Sequence, residues 1–235
     1  MVRGKLWFLA LVATVVLVSA TSTERAFGGI VVETVNFSFP LSPGSQPLSI
    51  PMFDTLGGTR TLTQVDLKIF GDIEAMVTAE NDSSIAGSMG VDLIGLLKAT
   101  IPGPLSTSAA ILQSAGPVSV AATDGTPGSG PDFVDFGLIT GSGSNSTSTT
   151  TGLAAYIGPG FLAGTASGNG GFAVTGVTDS TSKITDFQAS GTVEVTYTYT
   201  DNSGVVPEPS SVIIWSVLGL SVVGAGWVRR RIRGR

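Results

Sequence analysis

Three aspartates in one glycine- and proline-rich stretch are of the residue type that could hold a metal ion. Asp132 and Asp135 stand three apart in PDFVDFG, and Asp124 precedes them in TDGTPGSGPD. Carboxylate and turn carbonyl oxygens are the ligands that Ca²⁺ takes in proteins, but EF-hand spacing is absent here. Aspartates in turns ordinarily cap backbone N–H groups. We therefore expect turn capping, with a Ca²⁺ site at these three residues as the alternative.

The residues that most enzyme mechanisms need are missing or cannot be singled out. The chain has no histidine and no cysteine, which excludes the imidazole base, the thiolate nucleophile and metal sites that depend on either. A glycosidase needs two carboxylates about 5 to 10 Å apart, and seventeen acidic residues do not identify a pair. Lys68, Lys98 and Lys183 have no nucleophile motif beside them. We expect a non-enzymatic protein without a cofactor, the alternative being a secreted carbohydrate-active hydrolase.

Two further features of the sequence concern carbohydrate. Asn36, Asn81 and Asn145 begin N-x-S/T triplets, the acceptor pattern for N-glycosylation. All three tryptophans lie in the terminal segments, at Trp7, Trp215 and Trp227. The body of the chain therefore lacks the side chain best suited to stacking on sugar rings, although phenylalanine and tyrosine can serve instead.

Alternation of apolar and polar residues with a period of two is the main structural signal between the two ends. In TQVDLKIFGDIEAMVTAE it runs through Val65, Leu67 and Ile69 and resumes after Gly71-Asp72. We read this stretch as a β-hairpin that turns at these two residues. The stretch VEVTYTYT repeats the pattern and is predicted to be the last strand.

The remaining patterns complete an all-β prediction. Further strands are predicted near residues 35–39, 118–122, 133–139 and 172–177. The run GSGSNSTSTTTG reads as a solvated loop or a polar edge strand, and residues 108–114 have a weak helical pattern. Short strands joined by Gly, Pro, Asn and Asp turns favour an antiparallel β-sandwich. We predict such a sandwich over residues 31–202.

Charge is low overall and unevenly distributed along the chain. Charged residues make up 12% of the 235 residues, and the net charge is −5. Residues 21–208 hold all seventeen acidic residues and five basic ones, a balance of minus twelve. A body this acidic repels nucleic acid and attracts cations. We expect no nucleic-acid partner.

The N-terminal segment has the pattern of a Sec signal peptide. Arg3 and Lys5 precede an apolar stretch over residues 6–18, and small residues follow. Cleavage is predicted between Ala20 and Thr21, which makes residues 1–20 the signal peptide and 21–30 a linker. An uncleaved anchor is the alternative, and both readings export the body of the chain.

The C-terminal segment has the pattern of a membrane span. Residues 212–228 carry no charge and would form about 25 Å of helix. Arg229, Arg230 and Arg231 follow at once and begin a basic tail, 229–235. The positive-inside rule keeps this tail cytoplasmic and the body outside the cytoplasm. We predict a transmembrane helix with the three arginines as its membrane stop.

A Pro-Glu-Pro motif stands just before the apolar segment, in the linker 203–211. Pro207-Glu208-Pro209, a single membrane-length segment and a terminal arginine cluster together resemble the PEP-CTERM sorting signal. The resemblance implies a substrate of an exosortase, a membrane-embedded protease or transpeptidase, after export by the Sec machinery. The two prolines hold the motif extended, as a processing cleft would require. A permanent single-pass anchor is the alternative.

The body is similar to the choice-of-anchor E domain found among PEP-CTERM proteins. The similarity rests on LSIPMFDTLGGTRTLTQVDLKIFG, on FVDFGLITGSGS and on the closing VEVTYTYT. It implies a bacterial cell-surface or extracellular-matrix protein with polysaccharide or other surface proteins as partners. It implies no molecular activity, and a calcium-dependent adhesin held by its transmembrane helix is a further alternative.

Overall fold

The computed structural model describes residues 28–41, 43–103 and 105–202, together with the single positions 214 and 218. These residues contain eight strands: β1 Gly28–Pro40, β2 Gly44–Pro51, β3 Arg60–Asn81, β4 Gly87–Thr100, β5 Ser106–Val120, β6 Phe133–Thr149, β7 Phe161–Thr175 and β8 Ser180–Asp201. A short 3-10 helix, Leu153–Tyr156, precedes β7. The search for an apolar helix long enough to cross a membrane finds none in the described part. The predicted signal peptide lies outside it, as does the predicted span apart from positions 214 and 218.

The strands form two four-stranded sheets. The first sheet has the order β1-β8-β3-β6, and the second has the order β2-β7-β4-β5. Every pairing between neighbouring strands is antiparallel. Contacts between β1 and β2, β3 and β4, and β5 and β6 join the sheets face to face. The prediction of an all-β, antiparallel sandwich is confirmed.

The core lies between the two sheets and is built from alternate, inward-facing residues along the strands of both. Its large, fully buried side chains include Leu67, Ile69, Ile73, Met89, Leu93, Leu97 and Tyr197. The Tyr197 hydroxyl donates a hydrogen bond to the Pro51 carbonyl oxygen at 2.9 Å. Burial raises the pKa of the Tyr197 phenol above its ordinary value. The hydroxyl therefore stays protonated and fastens β8 to the end of β2.

The hairpin predicted at Gly71-Asp72 is wrong, because β3 continues straight through these residues. In the first sheet Gly71 lies opposite Gly191 of β8 and Gly143 of β6. The alternation of inward and outward positions passes through Gly71 without a break, and Gly71 itself is buried. A two-residue turn would have reversed the chain, whereas this glycine is an inward-facing strand residue. The apolar series before and after it belongs to one strand of 22 residues.

Several other sequence predictions concern residues that lie in the edge strands β5 and β6. Residues 108–114 lie in β5, where Thr107, Ala109 and Ile111 are buried in alternation, so the weak helical pattern was misleading. The same strand ends at Val120 and contains most of the stretch predicted at 118–122. The polar run after Ile139 forms the second half of β6 as an edge strand. Backbone hydrogen bonds to β3 hold it there, and they need no apolar side chains on the outer face.

The backbones of β3 and β8 approach each other closely at Gly71 and Gly191. A Cβ atom on Gly71 would lie 2.5 Å from Leu97 Cδ1 of the second sheet. A Cβ atom on Gly191 would overlap the Phe70 carbonyl oxygen, and it would stand 2.6 Å from Gly71 Cα. A side chain on Gly191 therefore meets backbone atoms that cannot turn aside.

We expect Gly191→Ala to lower the free energy of unfolding by about 2 kcal/mol, because the methyl group forces β8 away from β3. Gly171→Ala in β7 is the matched control, since no heavy atom lies within 4 Å of its Cβ position. That change should leave the free energy of unfolding unaltered or raise it by about 0.5 kcal/mol, because alanine lowers the conformational entropy of the unfolded chain. Urea unfolding followed by circular dichroism measures both. Equal effects of the two variants would contradict the close approach.

Candidate functional site

The loop between β5 and β6, residues 121–132, closes one end of the sandwich over the last residue of β3. The Asn81 N–H donates to the Asp132 carbonyl oxygen at 2.9 Å, and the Thr123 N–H donates to the Ser83 carbonyl oxygen at 2.9 Å. The Asn81 side-chain amide donates to the Ala121 carbonyl oxygen at 2.7 Å. The β5–β6 loop is therefore fixed to the end of β3 by hydrogen bonds along its length.

Three carboxylates hold the interior of the β5–β6 loop through backbone N–H groups. Asp132 Oδ2 accepts from the Asp124 N–H at 2.8 Å, and Asp124 Oδ1 accepts from the Thr126 N–H at 2.7 Å. From the end of β3, Glu80 Oε2 accepts from the Gly128 N–H at 2.7 Å. Hydrogen bonds to a charged acceptor are stronger than neutral ones. These bonds replace regular secondary structure in a segment that has none.

Asp135 does not take part in this arrangement. Its Oδ1 accepts from the Gly137 N–H at 2.8 Å. This bond spans a β-bulge, where Thr78 pairs with Asp135 and Val77 pairs with Gly137, so that Phe136 is the extra residue. Of the three aspartates considered from sequence, the β5–β6 loop contains Asp124 and Asp132, whereas Asp135 caps a bulge in β6.

One oxygen of each loop aspartate is not used by these backbone hydrogen bonds. Asp132 is fully buried, and its Oδ1 has no hydrogen-bond partner among the described residues. A Cβ atom on Gly130 would overlap Asp124 Oδ2 and would lie 2.8 Å from Asp132 Oδ1. Both oxygens therefore face the space beside Gly130. In the described part of the chain no three Asp, Glu, His or Cys side chains form a metal-binding group.

The outer face of the first sheet is polar in its middle rows, whereas its two ends carry exposed apolar side chains, Ile30 and Val32 on β1 and the paired Met76 and Leu138 on β3 and β6. One row across it consists of Asn36, Thr192, Phe70 and Ser144, and the next of Ser38, Ser190, Asp72 and Ser142. Phe70 is 45% exposed, and it is the one aromatic side chain exposed on this face within the described part. The middle of the face thus combines a single aromatic ring with hydroxyl, amide and carboxylate groups.

Acidic side chains on this face do not converge on a cleft. Asp72 and Glu74 are two apart on β3 and therefore lie on the same side of the sheet, roughly 7 Å apart along the strand. The Glu74 carboxylate accepts a hydrogen bond from the Gln188 side chain on an exposed surface. Their separation suits a glycosidase pair, but they stand on the solvent side of a sheet instead of across a cleft.

An open groove runs where the edge strands β5 and β6 meet. It is lined by Leu96 and Lys98 of β4, residues 106–108 of β5 and residues 145–147 of β6. Lys98 is opposite Ser108 in the strand register, but no hydrogen bond joins their side chains among the described contacts. The lining contains no carboxylate. Lys68 and Lys183 lie elsewhere, on β3 and β8.

The three N-x-S/T asparagines differ in accessibility. Asn81 is fully buried, and its amide also donates to the Ile85 carbonyl oxygen at 3.0 Å, so a glycan on it would require opening of the fold. Asn36 is exposed on β1. Asn145 is exposed on β6, where its amide donates to the Ser108 carbonyl oxygen at 2.8 Å. Asn81 therefore has a structural role at the start of the β5–β6 loop.

The predicted sorting and processing residues fall outside the described part of the chain. They are Ala20 and Thr21 at the signal cleavage, Pro207, Glu208 and Pro209 of the motif, and Arg229, Arg230 and Arg231 of the membrane stop. The last described residue before the motif is Asn202, directly after β8. Their roles stay predictions.

Comparisons with known proteins do not assign a family. No protein-family model matches the chain, and no curated protein matches it. Among solved structures, that of the infectious bursal disease virus Gt strain aligns at 12% identity over 84% of this chain and 48% of the other, with a TM-score of 0.15. The VP2 subviral particle of the same virus aligns at 10% identity over 84% and 49%, with a TM-score of 0.11. The chain spans about half the length of these capsid proteins, and similarity this low supports no conclusion.

Sequence reasoning missed Glu80 and Gly130 as parts of the β5–β6 loop arrangement. Glu80 occupies an outward-facing position of β3, where an acidic residue is ordinarily solvated, yet it is 7% exposed because the loop covers it. Gly130 stands among turn glycines in GTPGSGPD, and nothing in the sequence distinguishes it from its neighbours. Only the folded position of the loop shows what either residue does.

We expect Glu80→Ala to loosen the β5–β6 loop, because the Gly128 N–H loses a charged acceptor; the stability cost should be about 2 kcal/mol. Hydrogen exchange measured by mass spectrometry should rise in residues 121–132. Glu74→Ala is the matched control, since this acid of the same strand bonds only an exposed side chain among the described contacts. Unchanged exchange in Glu80→Ala would show that this bond does not hold the loop.

Proposed function

We propose that this protein is an exported, non-enzymatic bacterial surface or extracellular-matrix protein whose C-terminal tail is a sorting signal processed by an exosortase. The observation that supports the proposal is the pairing of the first and last strands. β1 and β8 are antiparallel neighbours, with Gly28 opposite Thr200. The chain therefore enters and leaves the sandwich at the same end of the same sheet. A signal peptide before residue 28 and a membrane segment after residue 202 would both extend from that end.

The short connection to the motif supports the same proposal. Five residue steps separate Asn202, the end of the described sandwich, from Pro207. An extended chain covers at most roughly 3.5 Å per residue, so these five steps can span at most about 18 Å. A membrane-embedded protease that cut there would meet an extended proline-rich segment beside a folded domain. Cleavage would release the sandwich intact.

The described surface supports a binding role over a hydrolytic one. The groove between β5 and β6 contains no carboxylate. The acids of the first sheet are spread over its outer face, and Phe70 stands among hydroxyl-bearing residues there. An aromatic ring offers an apolar face for stacking, and hydroxyl, amide and carboxylate groups around it can hydrogen-bond to the hydroxyls of a sugar. We therefore name extracellular polysaccharide as the partner of this face.

Intact mass and C-terminal peptide mapping of the protein isolated from its native envelope test the sorting signal. We expect a C-terminus within residues 207–209, because the exosortase would cut at the motif, and an N-terminus at Thr21 after signal cleavage. A mature chain that still ends at Arg235 would make the tail a permanent anchor, and the sorting proposal would be abandoned.

Two sets of variants test whether the protease recognises the Pro-Glu-Pro motif or another part of the tail. Replacing the motif by Pro207→Ala, Glu208→Gln and Pro209→Ala should leave the full-length chain in the membrane. Ser210→Ala with Ser211→Ala is the matched control next to the motif and should be processed as the natural sequence is. Equal processing of the two sets would mean that the protease does not read the motif.

A further inference from the structure

Two carboxylate oxygens without assigned partners face one small space in the β5–β6 loop. Asp124 Oδ1 and Asp132 Oδ2 each accept a backbone N–H, which orients the two side chains. Their other oxygens, Asp124 Oδ2 and Asp132 Oδ1, both border the position that a Cβ on Gly130 would fill. The backbone hydrogen bonds thus direct the two remaining oxygens toward each other.

The environment of Asp132 leaves one of its carboxylate oxygens buried without a partner. Asp132 is fully buried, and its Oδ1 has no hydrogen-bond partner in the described part of the chain. A buried polar atom without a partner costs about 1–3 kcal/mol, and more when it belongs to a charged group. The one ion pair among the described residues joins Arg60 to Asp201, at the other end of β3. No described lysine or arginine therefore neutralises Asp124 or Asp132.

Gly130 keeps the space between the two oxygens open. Its φ of +106° lies in a region that residues with a side chain rarely adopt. Any Cβ there would occupy the space that the two carboxylates share. Glycine at this position is therefore needed both for the conformation of the loop and for access to the two oxygens.

We propose that the β5–β6 loop binds one Ca²⁺ through Asp124 Oδ2 and Asp132 Oδ1. Backbone carbonyl oxygens of the loop and water would complete the coordination, since Ca²⁺ accepts such ligands in flexible geometry. An all-oxygen set without histidine or cysteine suits a hard cation and does not suit zinc. Asp135 is not a ligand of this site, because it caps the bulge in β6.

The proposed site has a defined place and strength. The site has only two carboxylate ligands, and one of them, Asp124, is exposed. We therefore expect a dissociation constant of about 10⁻⁴–10⁻³ M, as in the weak Ca²⁺ sites of extracellular modules. Binding would join two residues eight apart in the loop and so tighten it against the end of β3. The inference rests on the β5–β6 loop alone and does not depend on the proposed sorting function.

Isothermal titration calorimetry tests the proposal. CaCl₂ is titrated into the full chain in detergent at physiological ionic strength. We expect one Ca²⁺ per chain and a melting temperature that rises with Ca²⁺ concentration. Asp124→Asn and Asp132→Asn should each weaken binding at least tenfold and remove the rise in melting temperature. Asp124→Asn keeps an exposed position and an amide oxygen for the Thr126 N–H, so it should fold even if Asp132→Asn does not.

Asp135→Asn is the matched control, because it removes an equal charge within three residues of Asp132. It should bind Ca²⁺ within twofold of the natural sequence. No binding at millimolar Ca²⁺ would overturn the proposal. Equal weakening in all three variants would also overturn it, because it would show general attraction of cations to an acidic domain.

Discussion

The structure depends on the close packing of β8 between β1 and β3 in the first sheet. Gly71 and Gly191 face each other at the middle of β3 and β8, and side chains there would meet backbone atoms or the Leu97 side chain. Because β8 pairs with its neighbours over almost all of its 22 residues, its position sets the register of both β1 and β3. That register places Gly28 and Thr200 together at one end and Asn81 at the other. The two ends of the described sandwich, at Gly28 and Asn202, and the β5–β6 loop are positioned by this one constraint.

The two functional proposals concern opposite ends of the same sheet. The described sandwich begins at Gly28 and ends after Asp201, which lies opposite Arg60, the first residue of β3. The β5–β6 loop is fixed to Asn81, at its last residue, and β3 spans roughly 70 Å along its length. In the proposed function the end with the termini faces the membrane, so the loop with its two aspartates faces the extracellular matrix. The outer face around Phe70 lies between these two ends, and in the proposed function it binds a polysaccharide.

Much of the fold could be predicted from sequence, because a strand with one buried face shows its alternation directly. The last strand, with Val193, Val195, Tyr197 and Tyr199 buried, followed from such a pattern. Gly71 predicts a turn, and that prediction is wrong because the alternation of inward-facing apolar positions continues across this glycine. For the second half of β6, the sequence does not distinguish a solvated loop from a polar edge strand, because the segment lacks alternating apolar residues. It is held by backbone pairing at a sheet edge, which has no side-chain pattern.

The candidate site could be predicted only as a set of residue types. Asp124 and Asp132 were identifiable as possible ligands, and Asp135 was considered with them because it is close in sequence. Which oxygens cap N–H groups and which remain available depends on contacts with Glu80 and Gly130. Those contacts join residues far apart in the chain, so local sequence cannot specify them.

The central claim is that, before the tail is cut, the end of the sandwich holding Gly28 and Thr200 faces the membrane while the β5–β6 loop points away. The chain contains no cysteine, so single labels can be introduced cleanly at Thr59→Cys, near Asp201, and at Ser129→Cys, in the loop. With the full chain in vesicles whose headgroups carry a short-range fluorescence quencher, we expect strong quenching at position 59 and none at position 129. Equal quenching, or quenching at position 129 alone, would contradict the account.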